Sequence, residues 1–531
     1  MRNARGNFNK WLKASVCATA LLMGGAVHAQ STAAPADQSA AEDEALPEAI
    51  TITGSRVVRD GYASPTPVSV VGADEIARSA TPNIADYVNT LPAVSGSATP
   101  RTTSNQVGAG RQGINSMNLR GIGEVRTLTL LDGRRVGGMV NNGVVDVSEL
   151  PQQLVKRVDV VTGGASASYG SDALSGVVNF VLDTKFTGFK GELSGGVTGY
   201  GDNRNWKAAL SWGTSFADGR GHFLLSGELN HEDGIYDPSN RPWTEAGWAY
   251  INNPAYTATN GQPRVLLRPQ VALSTATLGG GIGCATNSAC ASLRGIAFGP
   301  GGTMYNLVPG AIVSDPIMSG GTMGDNNLRN GVDNSMLPEQ NRRNLFGRVS
   351  FDVADDWTVY AEGMVSHLDT DTRYYYGGFA NNLTVRSDNP YMPAALAARM
   401  NALGITSVPF GTMKGDIGAS GAHAEHGYFR AVGGVDGKFN AFGTQWTVNG
   451  YYEFARATLN NMATNATYLP NWNRAIDAVR APNGSIVCRS TLTNPNDGCV
   501  PFNLFGTGVN SKAQIDYVTG NPYRKDVYKQ N

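Results

Sequence analysis

From residue 184 to the end of the chain, apolar and polar side chains alternate with a period of two residues in stretch after stretch. In one of them Trp206, Leu210 and Trp212 fall on one side of an extended chain, and Lys207 and Ser211 on the other. Successive side chains of a β-strand point to opposite faces, so the pattern predicts strands with one apolar and one polar face. The length of each stretch is close to that of a tilted membrane-spanning strand, which has about 9–11 residues. The predicted strands are 191–200, 206–212, 223–230, 345–353, 357–367, 428–439 and 446–454.

Aromatic residues stand at many ends of these predicted strands. Outer-membrane β-barrels carry such aromatic girdles at both membrane interfaces. A soluble β-sandwich also alternates, and it is the alternative interpretation of the strand pattern alone. The aromatic residues concerned are Tyr200, Trp206, Phe216, Phe223, Trp357, Tyr428, Phe439 and Trp446.

The lengths of the connections favour the membrane barrel. Short turns at 217–221, 354–356 and 440–443 alternate with long polar segments. Compact soluble domains seldom contain structureless insertions of such length, whereas membrane barrels combine short turns on one side with long loops on the other. The link at 201–205 is a short one on the long-loop side. The long segments are 233–343, 368–427 and 457–531.

About seven strands result, and the last residues, 527–531, lie in a polar segment. An open sheet would leave the backbone groups of its edge strands unpaired in a membrane. We therefore expect a partial gene product whose barrel is incomplete.

The first 29 residues are typical of a secretory signal peptide. A positive region with Arg2, Arg5 and Lys10 precedes a short apolar core at 16–23 and a small-residue stretch that ends at Ala29. The net charge of the chain is −1 and its lysines and arginines are dispersed, so nothing favours a nucleic-acid partner. The sequence therefore predicts an exported protein.

Residues 30–59 are predicted to be a flexible periplasmic linker, because 30–47 are rich in Ala, Ser, Gln and Pro with an acidic run. Near its end, Ile50 and Ile52 alternate with Thr51 and Thr53, which predicts a strand that needs a sheet edge.

Four cysteines remain after signal cleavage, in two pairs that lie close in sequence. Cys284 with Cys290 and Cys488 with Cys499 are predicted to form two local disulfides in an oxidising compartment. A metal site is the alternative, but the CxxC spacing and a nearby histidine are missing.

Residues 60–183 have the mixed pattern of a small α/β domain. The predicted strands are 67–71, 127–131, 157–161 and 176–182, with helices at 74–79 and 82–90. Asp132-Gly133 after the second strand is a hairpin-turn signal.

These residues resemble TonB-dependent outer-membrane receptors. Residues 48–54, Glu-Ala-Ile-Thr-Ile-Thr-Gly, look like the TonB box, and 60–183 look like the plug domain. Residues 184–531 then correspond to the N-terminal part of the barrel, of whose 22 strands most are absent here. The TonB-binding residues implied are Ile50, Thr51, Ile52, Thr53 and Gly54; the plug motifs implied are Asn118, Leu119, Arg120, Gly121, Asp132, Gly133, Arg134, Arg135, Gly163, Gly164, Ala165, Tyr169, Gly170 and Gly176.

The resemblance implies a mixed α/β plug inside an antiparallel transmembrane β-barrel in the outer membrane of a Gram-negative bacterium. It implies three partners: a small scarce nutrient, outer-membrane lipid and TonB, which is energised by the inner-membrane proton-motive force. TonB pairs with the box and pulls, and the plug rearranges. No cofactor is implied.

Other motifs are weaker. Gly108 to Gly113 match GxGxxG but follow a loop rather than a strand, so a plug loop that faces the ligand is favoured over a dinucleotide site. Arg134 and Arg135 are expected to pair with the inner face of the barrel wall, with an anion site as the alternative. His423 and His426, near Glu425, are interpreted as loop residues without the fixed geometry of a metal site.

Tyr374, Tyr375 and Tyr376 suit either stacking on a sugar or aromatic chelate, or an interfacial girdle. No arrangement of nucleophile, base or metal ligands argues for an enzyme. The rival functions are a surface adhesin or structural protein without energised transport, and a periplasmic enzyme. The Tyr- and Asn-rich loops favour a saccharide over a siderophore, cobalamin or peptide.

Overall fold

The structure is a computed structural model. It describes residues 68–79, 83–104, 106, 110–163, 165–238, 241–242, 247–322, 335–374 and 380–530. The predicted signal peptide, the linker and the TonB-box residues lie outside these ranges, as do Gly164, Tyr375 and Tyr376. No helix in the described ranges is long and apolar enough to cross a membrane.

The first domain is built on a five-stranded mixed sheet with the order β1-β4-β5-β2-β3. β2 and β5 are parallel, and the other pairs are antiparallel. β2 is buried along its whole length, in keeping with its continuous apolar and Thr sequence. All four strands predicted for this domain belong to the sheet. Its strands are β1 Val68–Gly72, β2 Thr127–Leu131, β3 Arg134–Arg135, β4 Val155–Thr162 and β5 Gly176–Leu182.

The predicted hairpin turn joins β2 to β3. Asp132 has φ 52° and Gly133 has φ 73°, so both lie in the left-handed region that this two-residue turn requires. The two predicted helices are present but short, and Asn83 caps the second through a hydrogen bond from Ala85 N. The helices of the chain are α1 Ala73–Ser79, α2 Ile84–Val88, α3 Pro100–Thr103, α4 Ser166–Tyr169, α5 Ala394–Ala402, α6 Leu469–Ala475 and α7 Lys512–Val518.

The later part of the chain is dominated by an antiparallel eight-stranded sheet with the order β27-β22-β21-β18-β17-β8-β7-β6. The remaining strands form smaller sheets within the long connecting segments. These strands are β6 Gly188–Gly196, β7 Asn205–Phe216, β8 Gly221–Glu232, β9 Ala249–Asn252, β10 Val265–Arg268, β11 Val271–Leu273, β12 Gly281–Ile282, β13 Ile296–Phe298, β14 Met304–Asn306, β15 Ile312–Ser314, β16 Ile317–Ser319, β17 Glu339–Ala354, β18 Trp357–Tyr374, β19 Ala380–Arg386, β20 Ser407–Thr412, β21 Ser420–Ala441, β22 Thr444–Thr464, β23 Ala466–Thr467, β24 Ala478–Arg480, β25 Ile486–Cys488, β26 Thr519–Gly520 and β27 Tyr523–Gln530.

The two ends of the large sheet differ. The three predicted short turns join β7 to β8, β17 to β18 and β21 to β22, and we call this edge the turn end. The opposite edge, from which the long segments leave, is the loop end.

The two faces of the large sheet also differ, as the alternation predicts. Even-numbered residues of β18 from Tyr360 to Thr372 are buried, whereas odd-numbered ones such as Val365 are partly or fully exposed. The buried face packs on the first domain. The opposite face is the outward face, and its large exposed apolar residues include Leu193, Leu210, Leu229, Leu345, Val365 and Phe429.

Two expectations about this region are wrong. The large sheet has eight strands rather than seven, because β27, in a stretch expected to be a polar segment, pairs with β22 from Tyr523↔Met462 to Gln530↔Ala455. The predicted strands are also too short: β21 has 22 residues and β22 has 21. The extra residues at the loop end are mostly small or polar, so alternation of large apolar side chains did not mark them.

The long segments are also not structureless. β12 from the first segment pairs with β20 from the second, and Asp416 of the second accepts hydrogen bonds from the backbone N–H of Val509 and Asn510 in the third. Their buried residues, among them Phe298, Phe410 and Trp472, form one hydrophobic core. We call the body built around this core the loop domain.

Both predicted cysteine pairs are disulfides of the loop domain. Cys284–Cys290 closes a separation of 6 residues and Cys488–Cys499 one of 11 residues. Cys284 and Cys488 are fully buried in the shared core.

Candidate functional site

The first domain and the large sheet share one hydrophobic core. Leu224, Phe346, Met364 and Tyr428 of the sheet belong to the same buried cluster as the core of the first domain. These residues are almost inaccessible, from 0% to 2% exposed. The sheet therefore acts as a wall against which the first domain is seated.

An arginine of the β2–β3 hairpin forms a buried ion pair between the first domain and the wall. Nη2 of Arg134 lies 2.8 Å from Oε1 of Glu362 on β18, and the two side chains are 8% and 2% exposed. Arg348 and Arg430, both on wall strands, also form ion pairs with Glu362. The guanidinium of Arg134 is 5.1 Å from the ring centroid of Tyr360, at cation–π distance.

The neighbouring arginine behaves differently from the expectation. Arg135 contacts the Asp172 carboxylate and the Tyr169 carbonyl oxygen, both within the first domain. Only Arg134 pairs with the wall, because adjacent residues of a strand point to opposite faces. The expectation that both arginines contact the wall is therefore correct for Arg134 and wrong for Arg135.

The hairpin turn places the carboxyl group of Asp132 beside this ion pair. Burial raises the pKa of Asp132 to about 6, although the hydrogen bond from Leu182 N and the charge of Arg134 act to lower it. Oδ1 of Asp132 accepts that hydrogen bond at 2.7 Å, and Oδ2 lies 3.7 Å from Nη2 of Arg134.

Two single-turn 3₁₀ helices, Val147–Glu149 and Gln152–Leu154, make further contacts with the wall. The N–H of Gln153 donates to Glu228 of β8 at 2.8 Å, and Ser366 of β18 donates to Oε2 of Glu149 at 2.7 Å. Burial raises the pKa of Glu149, and the neighbouring Asp146 raises it further. Sequence reasoning missed these contacts because polar residues are common on every wall strand.

At the loop end, the loop after α3 meets the wall again. Gln340 donates to the Gly113 carbonyl oxygen at 2.6 Å, and the Gln112 amide donates to Asn461 at 3.1 Å. Gln112 and Gly113 belong to the GxGxxG stretch, whose residues 108 and 109 lie outside the described ranges. The GxGxxG stretch was expected to lie in a loop rather than after a strand, and its described residues do lie in a loop.

This loop also presents polar groups without partners. Both amide atoms of the buried Asn115, Oγ of Ser116 and Oε1 of Gln112 have no hydrogen-bond partner in the described part of the chain. Buried polar atoms are costly when unpaired, so they point to water or a ligand at this place. In the sequence, only the predicted loop position indicated that these polar residues could face a ligand.

The other plug motifs serve the local fold of the first domain. Arg120 and Gly121 form a left-handed turn with φ 55° and 66°, Leu119 before them is fully buried, and Asn118 accepts from Gly123 N at 2.8 Å.

The glycine-rich motif after β4 has the same structural character. Gly176 has φ 135°, and a Cβ there would lie 2.1 Å from the Val161 carbonyl oxygen, so only glycine fits. Gly163 and Gly170 also have positive φ, while Ala165 and Tyr169 belong to a small apolar cluster.

The histidines near Glu425 are not in a loop, contrary to the expectation. His423 and His426 lie on β21, where the register places His423 opposite Asp371 and His426 opposite Leu368. His426 is 3% exposed on the buried face, whereas His423 and Glu425 are on the outward face. A separation of three residues sends two strand side chains to opposite faces.

Of the three adjacent tyrosines, only Tyr374 has a described backbone position, at the loop end of β18.

A domain that packs on the polar side of a wall of long antiparallel strands defines the class of plugged β-barrels. The sequence comparison names it: residues 60–177 match the family model of the TonB-dependent Receptor Plug Domain. Residues 60–177 are therefore a plug domain of the kind found in TonB-dependent receptors.

Similar solved structures include a mutant of the ferric enterobactin receptor PfeA from Pseudomonas aeruginosa in complex with enterobactin, at 14% identity and TM-score 0.35, covering 75% of this chain and 46% of that chain. The siderophore receptor PirA from Acinetobacter baumannii matches at 13% identity and TM-score 0.33, covering 75% of this chain and 48% of that one. The ferric-catecholate import receptor Fiu from E. coli K12 matches at 13% and 0.37, covering 76% and 51%. The chain spans about half the length of the structures it matches.

Proposed function

We propose that this chain is part of a receptor that takes up a scarce small nutrient across the outer membrane with energy supplied by TonB. The observation that carries the proposal is the plug domain at residues 60–177, seated on the polar face of a wall whose other face is apolar. The polar contacts of the plug, such as Arg134 with Glu362, can break and re-form when the plug moves. The proposed organisation is a signal peptide at 1–29, a periplasmic linker at 30–59, the plug at 60–183 and barrel wall at 184–531.

The TonB contact is proposed at Ile50, Thr51, Ile52, Thr53 and Gly54, where alternating residues suit strand addition to the edge of a partner's sheet. Main-chain hydrogen bonds carry most of such an interface. Ile52→Pro removes one N–H donor and fixes φ, which breaks the added strand.

In the receptor, Ile52→Pro should abolish energised uptake while ligand binding to cells stays unchanged. Ile52→Val is the matched control, because it keeps the donor and the β-branched side chain and should keep uptake. Unchanged uptake by the proline variant would refute the assignment of the box.

The ligand site is proposed at the loop end, between the plug loop around Asn115 and the inner side of the loop domain. The unpaired amide of Asn115 and the Oε1 atom of Gln112 suit a ligand rich in hydroxyl or carbonyl groups. A saccharide fits this chemistry, and a siderophore fits it as well. Tyr374, Tyr375 and Tyr376 remain proposed stacking residues, and the backbone of Tyr374 lies at the same end.

Growth of a receptor-deletion strain on single scarce nutrients separates these ligand classes. We expect a defect on a saccharide that the wild-type receptor restores and the Asn115→Ala variant restores less well. A defect confined to low iron would replace the saccharide with a siderophore. An adhesin instead loses attachment and shows no nutrient defect, and deletion of residues 48–54 leaves its attachment intact.

A further inference from the structure

The outward face of the wall carries a group of metal-ligating side chains near the loop end of β18 and β21. Asp369, His423 and Glu425 each offer one ligand atom, and these atoms lie within 4.8 Å of one another. We propose that these three side chains form a binding site for a divalent transition-metal cation, represented by zinc. The site is separate from the plug and from the proposed nutrient site.

The strand register holds the three ligands on one surface. Asp369 of β18 is directly opposite Glu425 of β21, and His423 precedes Glu425 by two residues, so all three point to the same face. The ladder between these strands is continuous from Trp357↔Gly437 to Tyr374↔Ser420. Ligands inside a continuous ladder have a more fixed geometry than ligands on a loop.

A fourth side chain orients the imidazole. Oδ1 of Asp371, which is opposite His423 in the register, lies 3.0 Å from Nδ1 of His423. When Nδ1–H is donated to this carboxylate, Nε2 is left as the free nitrogen. Nε2 lies 3.5 Å from Oε1 of Glu425, on the side of the other ligands. Carboxylate–histidine pairs of this kind orient histidine ligands in known metal sites.

Neighbouring side chains contact Glu425 and Asp369, but Nε2 of His423 and Oε1 of Glu425 still face each other. Asn460 donates to Oε2 of Glu425 at 3.0 Å, so Oε1 still faces His423. Arg343 is the nearby cation, but its Nη2 lies 3.9 Å from Oδ2 of Asp369, and its side chain is 64% exposed. His367 Nε2 contacts Oδ1 of Asp369 at 2.9 Å. One imidazole with two carboxylates is a ligand set that suits zinc and other first-row transition metals.

The position gives the cation a structural role. Val365 and Phe429, further from the loop end on the same face, are exposed and apolar. A divalent cation above them would offset two of the three negative charges of Asp369, Asp371 and Glu425 where the apolar surface ends, and would link β18 to β21.

The test is zinc titration of the full chain, purified in detergent micelles after metal removal, by isothermal calorimetry. We expect one zinc ion bound by the wild-type chain and lost in His423→Ala. Glu425→Gln and Asp371→Asn keep the shape of their side chains; we expect Asp371→Asn to weaken zinc binding by about 10–100-fold. These two variants keep the test valid if His423→Ala does not fold.

His231→Ala is the matched control. His231 also lies on the outward face, and its Nε2 is 2.9 Å from Oδ1 of Asp233, but it has no second carboxylate in a ligand cluster among the described residues. This variant should bind zinc like the wild type. The proposal is overturned if the wild-type chain binds no zinc, or if His423→Ala, Glu425→Gln and Asp371→Asn bind it with unchanged stoichiometry and affinity.

Discussion

Glu362 holds the plug hairpin to the wall through a carboxylate that three arginines share. Replacing it by glutamine removes the buried counter-charge that Arg134, Arg348 and Arg430 share, although Arg430 keeps its ion pair with Glu453. Replacing Arg134 instead leaves Glu362 with two arginines. We therefore predict that Glu362→Gln loosens the plug more than Arg134→Gln does.

The magnitudes follow from burial. Removing one partner of a buried ion pair costs about 3–5 kcal/mol when the other charge stays unpaired, which we expect for Glu362→Gln. A charged hydrogen bond lost from a group that keeps other partners costs about 1–3 kcal/mol, which we expect for Arg134→Gln. Arg135→Gln is the matched control, because Arg135 and Asp172 are 42% and 52% exposed, and such pairs contribute less than about 1 kcal/mol.

The assay is trypsin cleavage of the plug in outer-membrane preparations of the full chain, followed as a function of urea. Because the slope of unfolding free energy is about 1–3 kcal/mol per M urea, Glu362→Gln should lower the midpoint by at least about 1 M. The reasoning is refuted if Arg134→Gln lowers the midpoint as much as Glu362→Gln, or if neither differs from Arg135→Gln.

Three further predictions use the same preparations. Burial raises the pKa of Asp132 from 3.8 to about 6, so its contribution to plug stability is present below pH 3.8 and is lost as the pH rises through about 6. Asp132→Asn should therefore flatten that pH dependence and raise the unfolding free energy of the plug by on the order of 1–3 kcal/mol at neutral pH. An unchanged pH profile would contradict this prediction. Gly176→Ala should destabilise the plug by about 2–5 kcal/mol, because its Cβ would overlap the Val161 carbonyl oxygen, 2.1 Å away; an unchanged urea midpoint would disprove the clash. Cys488→Ser should lower the unfolding free energy of the loop domain by about 2–3 kcal/mol and speed its proteolysis, while the plug stays protected. Equal effects on the loop domain and the plug would contradict a separate core in the loop domain.

The sequence predicted the elements whose signal is local. Period-two alternation located seven wall strands, and the Asp132-Gly133 pair located a hairpin turn, because strand faces and left-handed turns each restrict the residue types allowed. The two disulfides follow from cysteines that lie close in sequence.

Features that depend on distant partners could not be predicted. β27 has charged residues at 524, 525, 526 and 529 and shows no regular alternation of apolar and polar side chains, and only its pairing with β22 makes it a strand. The loop domain arises because three segments, distant in sequence, share a core around Trp472. Arg134 was singled out from the sequence, but Glu362, its partner 228 residues later, was indistinguishable from other polar wall residues.

The central proposal is that neighbouring wall residues face opposite environments, with the plug on one side and lipid on the other. The direct measurement is labelling of Met364→Cys and Val365→Cys, one at a time, in outer membranes with a lipid-soluble maleimide. Met364 is 2% exposed and packs in the core shared with the plug, whereas Val365 is 49% exposed on the outward face. The structure predicts rapid labelling at 365 and protection at 364; equal labelling at both positions, or the reverse order, would contradict it.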